Sequence, residues 1–157
     1  MKKKLSIIYG EHALAAALTG CTRGAQNPPA DCAALGEAIL QSQAFSPEMT
    51  VMSENRLYAL LEMDEALAVD AFMALDASRT TAEAVVAVTA ASGKEGDVAA
   101  LLAAYRDSLL SQYRDYQPAE VPKLEAAQVM TRGAQSVLII APDQDRARSD
   151  CKAKWNP

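Results

Sequence analysis

Histidine is almost missing from this 157-residue chain, His12 being the sole one. Its position matters, because residues 1–20 read as a removable leader, and a mature domain starting at Cys21 would carry no imidazole. Ser-His-Asp and Cys-His catalysis are then excluded. So are zinc sites that need histidine, and the two cysteines left after Cys21 cannot form a four-cysteine site. Aromatic residues make up only 5% of the chain, while hydrophobic residues reach 50%, largely through alanine. Alanine buries little apolar area, so a thin core of ordinary stability is expected.

Basic charge is also scarce, with 15 Lys and Arg against 20 Asp and Glu, a formal net charge of -5. Removing residues 1–20 deletes three lysines and Glu11, which brings the remainder near -7. Nucleic-acid recognition starts from a basic patch, so no nucleic-acid partner is expected. No Gly-x-Gly-x-x-Gly and no Walker loop occurs, and no cofactor or metal is expected. After the N-terminal segment no run approaches the ~20 apolar residues of a spanning helix.

What is present begins with Met1-Lys2-Lys3-Lys4 and a mainly apolar run from Leu5 to Leu18. Leu18-Thr19-Gly20-Cys21 follows, resembling the processing box of bacterial lipoproteins, in which the cysteine takes the lipid. Glu11 and His12 interrupt the run, whereas a signal peptide has roughly 7–15 apolar residues together. Such an acid costs about 2.5–3.5 kcal/mol on insertion scales. The expectation is a lipoprotein-type signal peptide over 1–20, a flexible tether over 21–30 containing Pro28-Pro29, and one domain over 31–157. Membrane attachment would run through lipid on Cys21, on the extracytoplasmic face. A cytoplasmic domain with a chance box is the alternative.

Within the domain, Asp31 can cap a helix reaching about Gln43, with Cys32, Leu35 and Ile39 as its inner stripe. Ser53 is placed to cap a second helix, Glu54–Leu61. From Glu54 to Asp76 six acids accompany Arg56 alone, but without the spacing of a calcium loop. The pattern is that of a solvated face. Val69–Ala77 fits strand and helix alike. Ala84–Thr89 is β-rich and apolar on both faces, the mark of a central strand. Ser92 and Glu95 fit a capping box opening a long helix to about Tyr116. Tyr105, Tyr113 and Tyr116 share its apolar stripe, and read as core-edge residues rather than a carbohydrate platform. Ala127–Thr131 and Gln135–Ala141 suggest a hairpin around Arg132-Gly133, where glycine supplies a positive φ. In the last helix Ala147, Cys151 and Trp155 fall on one face.

The span from about Asp31 to Ala141 resembles a family of Firmicutes lipoproteins known as domain of unknown function 4358. The residues that carry this are Ala82-Glu83 ahead of Ala84–Thr89, and Arg106 and Gln112 in the long helix. They continue through Tyr113-Arg114-Asp115-Tyr116-Gln117-Pro118, Val121-Pro122-Lys123-Leu124-Glu125 and Gly133. Ala84 stands where the family tends to have a larger aliphatic residue, and Thr89 where lysine is common. The resemblance implies that Phe72–Ala77 is a strand. It implies no activity.

The fold expected is α+β, an antiparallel sheet of about four strands with helices packed mainly on one face. The role expected is a lipid-anchored extracytoplasmic binding or accessory module acting on an unknown envelope protein or ligand, with no catalytic residues of its own. The uncovered sheet face or the Arg132-Gly133 turn is the default contact surface. A cell-envelope hydrolase built on a carboxylate pair is the alternative enzyme. Cys32 and Cys151, both on inner helix faces, are a candidate disulfide, with two buried thiols as the other reading.

Overall fold

Two strands with no polar face set the architecture. In the computed structural model, which describes residues 30–155, every residue of Ala84–Ala90 (β3) and Gln135–Ile140 (β5) is buried. They pair antiparallel, Val86 opposite Leu138 and Val88 opposite Ser136. Outside them lie Ala68–Asp76 (β2) and, at the edges, Met49–Val51 (β1) and Val129–Arg132 (β4). The strand order is β1-β2-β3-β5-β4, each neighbour antiparallel.

A strand apolar on both sides needs cover on both, and this sheet has it. Val86, Val88, Leu138 and Ile140 face Glu54–Leu61 (α2), Glu95–Tyr116 (α3) and Val121–Ala126 (α4). Val85, Ala87, Val137 and Ile139 face Cys32–Leu40 (α1) and Gln144–Trp155 (α5). Phe72 of β2 packs so closely under α1 that a Cβ at Gly36 would overlap its ring. Glycine is the residue that permits this approach.

The α+β class and the antiparallel sheet hold, with five strands rather than about four. The additional strand is β1, three residues too short to stand out by alternation. Three helices lie on one face and two on the other. The uncovered sheet face expected as a contact surface is therefore occupied by α1 and α5, whose stripes at Cys32/Leu35/Ile39 and Ala147/Cys151/Trp155 are buried.

Local signals were of uneven quality. Asp31 does cap α1, its Oδ1 accepting from Ala34 N at 2.9 Å. Ser53 holds the cap position of α2 but makes no side-chain cap bond. The long helix starts at Glu95, not after Ser92: Lys94 N bonds Ala91 O at 2.9 Å, closing a turn that puts Gly93 at φ 78. β2 is a strand despite its helix-favouring alanines, because its register against β3 outweighs intrinsic preference.

Candidate functional site

The β2–β3 hairpin tip is built around one carboxylate. Asp76 is buried, and its oxygens accept from Ser78 N (2.9 Å), Ser78 Oγ (2.5 Å), Thr80 Oγ1 (3.2 Å), Thr81 N (2.9 Å) and Thr81 Oγ1 (2.9 Å). Burial alone would raise its pKa. The hydrogen bonds from Ser78 and Thr81 outweigh it and bring the group down to about 2. The cage forces the next part of the loop into shape, and Arg79 adopts φ 61, a left-handed conformation uncommon for a residue with a side chain.

The tip docks onto α3. Tyr113 donates its hydroxyl proton to Thr81 O at 2.6 Å, Gln117 Nε2 donates to Thr80 O at 2.7 Å, and Arg79 Nη2 reaches Gln112 Oε1 at 3.4 Å. Beside it, Lys123 of α4 bridges two buried carboxylates, Glu83 Oε1 at 2.9 Å and Glu120 Oε2 at 3.0 Å. Glu83 Oε2 also accepts from Ser46 N at 2.6 Å, and Glu120 Oε2 from Ala82 N at 2.9 Å. Burial would lower the Lys123 pKa, but the bonds to Glu83 and Glu120 outweigh it and raise the ammonium above its ordinary value. This is the carboxylate pair that the fold brings together. It clamps a lysine and two backbone N–H groups.

Next to this junction α2, α3, β2 and the hairpin line an open cavity of about 820 Å³. That lies within the range of small-molecule sites, roughly 300–1,000 Å³. Half-buried leucines give it an apolar lining: Leu60 from α2, Leu75 from β2, Leu101 and Leu109 from α3. Its polar wall holds Arg56, Arg79, Tyr105 and Gln112. Burial, then the neighbouring Tyr113, push the Tyr105 phenol up to about 12, against the opposing charge of Arg79. A smaller hollow of about 270 Å³ adjoins it, lined by Arg79, Gln112, Tyr113 and Tyr116.

On the opposite face a second polar group is buried. Cys32 Sγ lies 3.3 Å from Thr89 Oγ1, and Gln135 Nε2 donates to Ala30 O, Cys32 Sγ and Thr89 Oγ1 at 2.7, 3.3 and 3.2 Å. Trp155 Nε1 donates to Gln135 Oε1. Cys32 and Cys151 are free thiols in the structure; burial pushes their pKa values up to about 11 and about 12. Thr89 is thus a buried member of this polar group.

The positions singled out in the sequence are scattered. Cys21, the leader and all of the tether except Ala30 lie outside the described residues. The β4–β5 turn is Gly133-Ala134, with Gly133 at φ 55 and Arg132 paired to Gln135. It is exposed and sits at the far end of the sheet from the cavity, since Gln135 pairs with Thr89 while Ala84 pairs with Ile140. Of the six acids between Glu54 and Asp76, Glu54, Glu62, Asp64 and Glu65 are exposed, as a solvated face requires; Asp64 also caps a 3-10 turn, Asp70 accepts from Cys32 N at 2.8 Å, and Asp76 holds the hairpin. No group of three His, Cys, Asp or Glu placed to hold a metal ion occurs among the described residues. Arg79, Tyr105 and Gln112 were not singled out together, because their proximity depends on the hairpin docking across 33 residues of sequence.

Fold and site define a small α+β domain with a five-stranded antiparallel sheet and a ligand-sized cavity between α2, α3 and the β2–β3 hairpin. The chain belongs to the family described as Domain of unknown function (DUF4358), which it matches over residues 41–141. That match takes in the whole hairpin–α3–α4 junction and the cavity. No curated protein and no solved structure matches the chain.

Proposed function

We propose that this chain is a lipid-anchored, extracytoplasmic binding module without catalysis of its own, and that the cavity between α2 and α3 is its ligand site. The cavity carries the reading: it has the volume of a ligand site and sets half-buried leucines against a polar wall that includes Arg56, Arg79, Tyr105 and Gln112. The buried Glu83–Lys123–Glu120 cluster beside it argues for binding over hydrolysis, because its carboxylates are taken up by lysine and backbone donors. Attachment through Cys21 rests on the Leu18-Thr19-Gly20-Cys21 box and the basic start before it. The exposed Arg132-Gly133 segment, at the other end of the sheet, is the surface offered to an envelope protein.

Location is tested by palmitate labelling: wild type takes up label and its processing stops with globomycin, while Cys21→Ala does neither. An unmodified wild type would return the chain to the cytoplasm. Binding is tested by ligand-observed NMR with a fragment library on the full chain. Ala104 is exposed on the cavity wall, so Ala104→Trp fills the space without removing a core side chain. Hits lost in that variant support the cavity; hits unaffected by it, or no hits, oppose it.

A further inference from the structure

The donors and acceptors of the cavity wall are unequally occupied. Of its acids, Asp76 is caged by Ser78, Thr80 and Thr81, and Glu83 is held by Lys123 and Ser46 N. Glu62 is the exposed residue that ends α2. The donors are open. Arg56 makes no ion pair among the described residues, and Arg79 makes only the 3.4 Å contact to Gln112. The Tyr105 hydroxyl makes no hydrogen bond among the described residues, and Arg79 is close enough to act on its titration.

From this imbalance, and resting on the reading of the cavity as a ligand site, we infer that its ligand is an amphipathic carboxylate. Its anionic head lies against Arg79 and Tyr105, and its hydrocarbon body against Leu60, Leu101 and Leu109. A guanidinium presents a planar fork that matches a carboxylate with two parallel hydrogen bonds, and the phenol supplies a third donor. A cationic ligand would face two guanidinium groups, with Asp76 and Glu83 already engaged and only the exposed Glu62, at the end of α2, as an unengaged acid. A neutral one would cover the charge of Arg79 without answering it, which costs free energy.

The backbone is compatible with the assignment. Arg79 is held at φ 61, and strain of that kind collects at ligand-contacting positions. The Asp76 cage fixes it there, so the guanidinium is presented by a loop tied down at both ends, through Asp76 and through Tyr113 and Gln117 of α3 and its end.

The test uses the full chain carrying Cys21→Ser, with leucine methyl groups labelled for NMR, and three probes of one chain length: octanoate, octanol and octyltrimethylammonium. Octanoate is expected to shift the methyl signals of Leu60, Leu101 and Leu109 and to bind about tenfold or more tightly than octanol, as a charge-assisted hydrogen bond implies. Octyltrimethylammonium is expected to leave those signals unmoved. Arg79→Asn, which keeps a residue tolerant of the left-handed conformation, is expected to weaken octanoate by about tenfold and octanol hardly at all. Equal binding of octanoate and octanol, both blocked by Ala104→Trp, would overturn the carboxylate while leaving the cavity a ligand site. Selective binding of octyltrimethylammonium would overturn it in the same way. If no probe moves these methyls, the carboxylate falls, and the fragment screen then decides separately whether the cavity binds anything.

Discussion

Lys123 and Glu83, 40 residues apart, meet at 2.9 Å where β3 begins and α4 packs against it. Both belong to the motifs on which the family resemblance rests, Ala82-Glu83 and Val121-Pro122-Lys123. Tyr113 and Gln117, from a third motif, hold the same hairpin through Thr81 and Thr80. Segments that looked separate along the chain thus build one junction, and that junction forms one end of the cavity.

Lys123→Met should be among the most damaging single changes. It leaves Glu83 and Glu120 facing each other in a buried site with no cation between them. Removing one partner of a buried ion pair costs about 3–5 kcal/mol, and because the lysine keeps some solvent contact the lower end is expected. Because the ammonium is favoured in the fold, its contribution is complete below its ordinary pKa of 10.5 and fades as pH rises past the higher folded value. Urea denaturation of wild type and variant near pH 7 and well above pH 10.5 measures both effects; a difference that persists undiminished once the lysine is deprotonated would rule out the charge.

Asp76 gives the opposite pH sign. Its pKa falls from 3.8 to about 2 on folding, so it stabilises above its unfolded value and the contribution disappears as pH drops from about 4 through about 2. Asp76→Asn keeps the shape but not the charge, and loses about 1–3 kcal/mol near neutral pH from hydrogen bonds to a charged acceptor. The check is acid denaturation: the variant's stability should be flatter than wild type across that window. Parallel curves would place the acid sensitivity elsewhere.

How much of this was legible depends on how local each signal is. β3 and β5 were readable as buried strands because Val85-Val86 and Val137-Leu138-Ile139-Ile140 are apolar at every position, and that property decides their place in the sheet. Two-sided cover follows from the same fact, yet the sequence alone did not assign α1 and α5 to the second face. β2 was ambiguous because Leu67, Ala71 and Leu75 satisfy a helical stripe while Ala71, Met73 and Leu75 satisfy alternation. Pairing with β3 resolves it, and pairing is not local. The cavity was illegible for that reason: Arg79, Tyr105 and Leu60 lie on three elements that meet only after the hairpin docks.

The thiols of Cys32 and Cys151 should be inert in the native protein. Both are fully buried and their pKa values are raised to about 11 and about 12, so little thiolate exists near neutral pH. In a Cys21→Ser background, iodoacetamide at pH 8 should modify neither thiol in buffer and both in denaturant, with non-reducing mass spectrometry reporting two free thiols. One mass unit fewer per sulfur, with no alkylation after unfolding, would instead reveal a Cys32–Cys151 disulfide.

Arg79→Gly separates stability from binding. At φ 61 an arginine carries a left-handed penalty of roughly 1–2 kcal/mol that glycine does not. Glycine loses more chain entropy on folding, by roughly 0.5–1 kcal/mol, which leaves a small net gain of about 0.5 kcal/mol. The guanidinium itself makes only one long contact, 3.4 Å to Gln112, so little is forfeited with it. The variant should therefore melt at the same temperature as wild type or slightly above, while octanoate binding weakens by about tenfold. Unchanged stability together with weakened octanoate binding would assign the side chain to the ligand and not to the fold. If Arg79→Gly instead melts well below wild type, the guanidinium is holding the hairpin to α3, and its place in the cavity is structural.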